Sequence, residues 1–345
     1  MPPRNQTPDE LKNLSLFQLI KYSIRSETCM ENVKSMTPKR PMKFNIECGS
    51  SWFTLRLFHG EQPERDFSHW LTEDVAIHAD EMDRSRGKTN QMNFNGQPVL
   101  TKIDKDNHIF TYWDSPIKGI CFLLDYFSSL FDSPPIYKFE ITGGTVADRK
   151  KLTTWIKNKR ASKVEHFYVY MSVSVNLSTK ELTSILGKVK PTAALDLLSK
   201  MDADFRYKMP RNLKTFSCSS SNWLTKQDVM KMNYELINID VEKFSYQDLS
   251  DFATKCIEGG LPALQHCFIE AKDLKRNFKI IADGIKYDRT WSKLYVRVER
   301  RKYTRFSYHV HGIYDYERAD GKTVTICASE GRNKHCVLHL YVWTK

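Results

Sequence analysis

The sequence predicts an α/β chain with three parts. These are a helical N-terminal piece, an irregular leucine-rich-repeat-like array of helix–strand units, and a β-rich C-terminal cap. Three observations predict it. From about residue 117, helix-like and strand-like segments alternate. The candidate strands start at 136, 164, 213, 234 and 264, so they lie 28, 49, 21 and 30 residues apart. A unit of roughly 20 to 30 residues is the period of leucine-rich-repeat-like solenoids. The strict L-x-x-L-x-L-x-x-N consensus is absent, so the repeat is expected to be irregular. From 291 onward helix signals fade and strand alternation takes over. The rival α/β reading is a doubly wound sheet.

The elements follow in order. Ser15 with Gln18 fits a capping box, which starts a helix at Leu16. Ser26 caps a second helix running to about Met36, and "TPKRP" (37–41) closes a helical segment over 1–41. In 42–58, Phe44, Ile46 and Cys48 alternate with polar residues, as do Phe53, Leu55 and Leu57 after "GSS". That is a hairpin with one apolar face. Residues 59–108 are polar apart from Trp70 to Ile77, and "DEMDRSRGKTNQMNFNGQP" reads as an exposed loop. The second region, hairpin plus loop, spans 42–116.

The array fills 117–290. "IKGICFLLDYFSSLF" predicts a helix and "IYKFEITG" a strand, followed by helix "ADRKKLTTWIKNK" and strand "VEHFYVYMS". Ser178 and Glu181 offer a capping box for "STKELTSILGKV". The gap of 49 leaves room for one more unit around "ALDLLSKMDADF". Strand "LKTFSCSS", helix "TKQDVMKM", strand "YELINIDVE", a helix capped at Ser245 and strand "LQHCFIEA" complete it. The cap, 291–345, holds an Asp-Gly turn between "GIYDYER" and "TVTICAS" and ends on "CVLHLYVW", so three or four antiparallel strands are expected.

Composition narrows the class. With 41% hydrophobic and 27% charged residues the chain is globular rather than disordered. No apolar run approaches the roughly 18 residues of a membrane span, so no membrane partner is expected. "MPPRNQTPDELKN" has no apolar h-region of a secretory signal. The eight cysteines, at 29, 48, 121, 218, 256, 267, 327 and 336, lack C-x-x-C spacing. They read as reduced thiols of a cytoplasmic or nuclear protein. The net charge of +12 favours acidic partners, or simply marks a basic surface.

No motif argues for catalysis, a cofactor or a metal. "RGKT" (86–89) resembles the end of a P-loop, but Met82 stands where its first glycine belongs. "ITGGT" (141–145) places Gly143 and Gly144 between strand and helix, where a turn explains both. "HVH" (309–311) finds no Cys/His framework to complete four ligands. The basic, aromatic stretch Arg300 to Tyr308 could bind nucleic acid, but a charged edge strand explains it more simply. Nucleic acid is therefore an unfavoured partner.

Two places carry a resemblance. "LKNLSLFQLIKYSIRSETCMENVKS" resembles the second half of an F-box. "YQDLSDFATKCIEGGLPALQHCFIEA" and "GIYDYERADGKTVTI…LYVW" resemble the nematode F-box-associated type 2 family. The matching positions are Gly259, Gly260, Pro262, Leu264 and Ile269, then Asp315, Arg318, Asp320, Gly321, Thr325, Ile326, Val342 and Trp343. Cys256 stands where that family usually has tryptophan, and the Leu-Pro first half of an F-box is not seen upstream. Residues 1–41 thus look like a truncated F-box.

The resemblance implies a substrate-recognition subunit of a cullin-RING ubiquitin ligase, a protein-interaction module without catalysis. Its partners would be a Skp-type adaptor and an unknown target. Leu16, Phe17, Leu19, Ile20 and Ile24 are the candidate adaptor contacts. Phe17, Ile20 and Ile24, at i, i+3 and i+7, would form one partly exposed stripe. The alternatives are a basic nucleic-acid-binding module, or a repeat scaffold that has lost its adaptor.

Overall fold

The computed structural model describes residues 8–36, 42–59, 75–82, 89–159, 163–170, 177–199, 201–202, 204–219, 221–275, 277–285, 290–291, 310–330 and 335–343. The fold is mixed α/β. The chain divides into two compact units, Met1–Val175 with Ser184–Thr192, and Asn176–Thr183 with Ala193–Lys345.

The first unit opens with α1 (Pro8–Leu11), α2 (Leu16–Ser23) and α3 (Glu27–Ser35). The expected hairpin follows as β1 (Met42–Cys48) and β2 (Phe53–His59), with Phe44 opposite Leu57 and Ile46 opposite Leu55. Every second residue of β1 is buried, as the period of a half-buried strand requires. Then come β3 (Val75–Glu81), β4 (Asn90–Phe94), β5 (Gln97–Ile103), β6 (Ile109–Trp113), α4 (Pro116–Leu130), β7 (Ile136–Ile141), α5 (Val146–Asn158) and β8 (Val164–Val169). Their sheet runs β8-β7-β1-β2-β3-β6-β5-β4. The strands β1, β7 and β8 are parallel, as are β3 and β6. Helix α4 packs on β2, β3 and β6 and buries Ile120, Leu123, Leu124 and Phe127.

The expectation of an exposed loop in this region is corrected. Outside 60–74 and 83–88, which are not described, it is largely strand. Asn95 and Gly96 have φ of 50° and 84°, the left-handed pair of a type I′ turn, and they join β4 to β5. Phe94 and Val99 from this polar hairpin are buried.

Helix α6 (Thr179–Val189) starts in the second unit and ends in the first. The second unit continues with β9 (Ala194–Leu197), β10 (Thr215–Cys218), α7 (Lys226–Met230), β11 (Leu236–Val241), α8 (Tyr246–Ile257), β12 (His266–Lys275) and α9 (Phe278–Asp283). It closes with β13 (Thr290–Trp291), β14 (Val310–Glu317), β15 (Thr323–Glu330) and β16 (His335–Trp343). The order is β13-β14-β15-β16-β12-β11-β10-β9. Strands β9 to β12 are parallel and neighbour one another in chain order. That run contains no reversal of order, which the doubly wound alternative needs at its switch point. β9 is the extra strand for which the 49-residue gap left room. β13 to β16 pair antiparallel, and β16 also pairs antiparallel with β12.

Helix starts are fixed locally. Ser15, Thr145, Thr225 and Ser245 each accept from the N–H three residues on, and the residue there (Gln18, Asp148, Asp228, Asp248) bonds back to the cap N–H. Each box satisfies two otherwise orphaned donors.

Candidate functional site

Helix α2 carries the residues singled out as adaptor contacts. Its apolar residues do not form one surface. Leu16, Leu19 and Ile20 are buried, Ile20 completely. Phe17 and Ile24 are half-buried. The stripe Phe17–Ile20–Ile24 is therefore split, because Ile20 belongs to the chain's own interior. Helix α2 packs on α3. At its C-terminal end the Ser23 hydroxyl hydrogen-bonds the Tyr126 hydroxyl of α4 at 2.8 Å and donates to the Ile20 carbonyl at 2.8 Å. Tyr126 is held in turn by edge-on contacts to Phe94 at 5.4 Å and Phe127 at 5.0 Å. Burial pushes its phenol up to about 12, so it stays neutral.

The outward side of α2 is mixed in character. Lys21 sits 5.4 Å over the Phe17 ring and Arg25 sits 5.7 Å over the Tyr22 ring. Phe17, Lys21 and Ile24, at i, i+4 and i+7, thus share a face of two half-exposed apolar groups around a cation. Such a face can seat on a protein partner. It holds no group for chemistry.

The residues that carry the family resemblance assemble elsewhere, in the second unit. Helix α8 ends at Gly259, whose φ of 82° is the left-handed value glycine tolerates. Gly260 N–H then closes onto the Lys255 carbonyl at 2.9 Å. A Cβ on Gly259 would lie 3.3 Å from Nη2 of Arg318. The Arg318 side chain is 3% exposed and grips Asp320 through Nε at 3.1 Å and Nη2 at 2.9 Å. Beside it lies the Cys256 thiol, pushed up to about 12 chiefly by burial. A thiol held protonated in this way is not a nucleophile.

Asp320 and Gly321 turn β14 into β15, with Gly321 at a φ of 77° and its N–H on the Arg318 carbonyl at 3.0 Å. Trp343 Nε1 donates to Thr325 Oγ1 at 2.7 Å, and Thr325 Oγ1 donates to Asp315 at 2.5 Å. Leu264, Ile269, Ile326 and Val342 are buried. The resemblance thus marks the residues that build this unit's interior and turns. The contact of Arg318 with Gly259 has no local sequence signal, since about sixty positions separate them.

Of the other candidates, 86–88 of "RGKT", His309 and the basic, aromatic stretch 300–308 lie outside the described residues, as does the side chain of His311. The "ITGGT" turn is filled by the buried Arg149, whose Nη1 donates to the Gly143 carbonyl at 3.2 Å and also to Gly144. Among the described residues no group of His, Cys, Asp and Glu is placed to hold a metal ion. Among them, too, no helix is long and apolar enough to cross a membrane.

No curated protein and no solved structure matches the chain. One family does. The matched stretch runs from before β10 into β12 and includes Gly259 to Ile269, but stops short of Asp315 to Trp343. That stretch, residues 204–269, matches the family described as F-box associated.

Proposed function

We propose that this chain is a substrate-recognition subunit of a cullin-RING ubiquitin ligase, a binding module with no chemistry of its own. The F-box-associated match at 204–269 carries the reading. In this reading the helices of 1–41 are a truncated F-box, the chain belongs to the nematode type 2 branch, and it works in the cytoplasm or nucleus. The helix–strand array acts as a leucine-rich-repeat-like scaffold that presents the target surface. The run of β9 to β12 in chain order supports that last point.

With Ile20 inside, Phe17 and Ile24 remain as apolar adaptor contacts. Full burial of such a side chain contributes roughly 1.5 to 3 kcal/mol, and these two are already half covered. Adaptor affinity is expected on the order of micromolar or weaker once association costs are met. Pull-down with a Skp-type adaptor, comparing wild type with Phe17→Asp, tests this. Weak capture that Phe17→Asp abolishes is the expected result. No adaptor in either lane overturns the ligase role and leaves a scaffold without an adaptor.

A further inference from the structure

One end of the first unit's sheet is β4, and among the described residues no strand pairs with its outer side. The type I′ turn at Asn95 and Gly96 fixes which backbone groups lie on that edge. Residues flanking such a turn form a hydrogen-bonded pair, here Phe94 with Gln97. The register runs on without a bulge, with Met92 opposite Val99 and Asn90 opposite Thr101. Asn90, Met92 and Phe94 therefore direct their N–H and C=O groups to β5, while Gln91 and Asn93 turn theirs outward. Pro98 agrees with this, since it has no N–H to give and stands opposite Asn93.

Sheet edges are commonly blunted by charge, proline or a bulge. This one has none of them. From Thr89 to Gln97 the chain carries no charged residue and no proline. Gln91 and Asn93 are exposed, and Met92 is half-buried. The two faces of the strand also differ. Phe94 is buried with its ring 5.4 Å from Tyr126 of α4, and Val99 and Thr101 on the same face are buried too. Met92 lies on that face, and Gln91 and Asn93 lie on the other.

A strand that completes this edge has to be uncharged, apolar on the α4 face and polar on the other. Strand β4 itself has that character. Laid antiparallel on a second β4 about a two-fold axis at Met92, it sets Gln91 opposite the copy's Asn93, and Asn93 opposite the copy's Gln91. Both pairs then exchange backbone hydrogen bonds. Met92 meets the copy's Met92 on the α4 face, and the Gln91 and Asn93 amides pair on the other. A contact of this kind is self-complementary and closes on itself. No like charges meet along the strand, although the whole chain carries +12.

We propose that β4 joins the β4 of a second copy of this chain, antiparallel and in register at Met92, as a reversible homodimer. A strand of 5 residues is short against the roughly 800 Å² per partner of a standard interface, so a dissociation constant on the order of 100 μM is expected. The inference does not depend on adaptor binding, and the two can fail separately.

Sedimentation equilibrium of the full chain, from about 5 μM to about 1 mM, tests it. A monomer–dimer equilibrium is expected. Gln91→Pro removes an outward N–H and no hairpin hydrogen bond, so it should keep the wild-type circular dichroism and weaken association about ten-fold or more. Met92→Lys and Met92→Glu each set like charges face to face at the axis, and each alone should stay monomeric. Mixed in equal amounts, the two variants should associate again, because the facing charges are then opposite. A wild-type chain that stays monomeric to about 1 mM overturns the proposal and leaves the edge to a strand of another protein. So does a dimer that Gln91→Pro and Met92→Lys leave unchanged, and so do charge variants that stay apart when mixed.

Discussion

Two turns in this chain carry a Gly-Gly pair and lie against a buried arginine, and they are built differently. In the first unit, Gly143 and Gly144 lie between β7 and α5, and Arg149 comes from the same helix, six residues on. Gly143 is needed because another backbone passes it. A Cβ there would lie 2.5 Å from the Ser50 nitrogen and 2.6 Å from its Cα. In the second unit, Gly259 and Gly260 end α8, and Arg318 arrives from a distant hairpin. Here Gly259 has a left-handed φ of 82°, as Gly144 has (80°) in the first turn, and what differs is the room it leaves beside a guanidinium. In the first turn the arginine is local, and the distant partner is the backbone of Gly49 and Ser50. The second is a long-range clasp between the stretch that matches the F-box-associated family and a hairpin outside it. A fragment ending at 269 would therefore lack the arginine that its own helix end is shaped to receive.

Three experiments can break or sharpen that contrast, in descending order of effect. Gly143→Ala puts an atom against backbone that cannot swing away, and should cost about 4 kcal/mol by urea denaturation. A loss below about 1 kcal/mol would mean the two loops separate easily, and the first turn would then be no more constrained than the second.

The second test is acid. His339, in the second unit, is buried, with Ser329 Oγ 2.7 Å from its Nε2. Burial first, and His266 second, hold its pKa down to about 3. The unfolded chain takes up this proton near 6.5 and the folded chain does not. Stability is thus complete above about pH 6.5 and falls as pH drops toward 3, by on the order of 3 kcal/mol at pH 4. Urea midpoints from pH 7 to 4 should show that slope, and His339→Gln should flatten it. An unchanged slope in His339→Gln would place the acid sensitivity elsewhere.

The smallest effects come from the second turn. Gly259→Ala should cost about 2 kcal/mol, the left-handed penalty plus a shift of Arg318. Gly321→Ala has a similar φ of 77° but nothing within 4 Å of the added carbon, so about 1 kcal/mol is expected. Equal losses at the two glycines would remove the guanidinium's part in the clasp.

Much of the fold was legible because its signals are local. Ser15, Ser26 and Ser245 announce helix starts through their own neighbours, and the alternation of Phe44, Ile46 and Cys48 fixes a hairpin face. The β4–β5 hairpin was missed although "FNGQ" contains the strongest short turn signal, because its flanking amide side chains look like loop composition. On α2 the period correctly shows an apolar helix, yet no period tells which apolar residues the chain keeps for itself. Ile20 is fully buried, and Ser23, three residues on, is tied to Tyr126 of α4, about a hundred residues away. The meeting of Gly259 with Arg318 depends on tertiary structure alone.

The capping boxes at Thr145, Thr225 and Ser245 have a consequence for how such a chain can change. Between the last residue of the preceding strand and the cap lie three residues at Thr145, six at Thr225 and three at Ser245. The helix begins at its box in every case, whatever the length of the approach. Lengthening a surface loop adds only a slowly growing closure entropy. Insertions and deletions before a box therefore leave the helix start in place. Loop length becomes a dimension in which the chain can vary while its helices and their packing faces keep their registration.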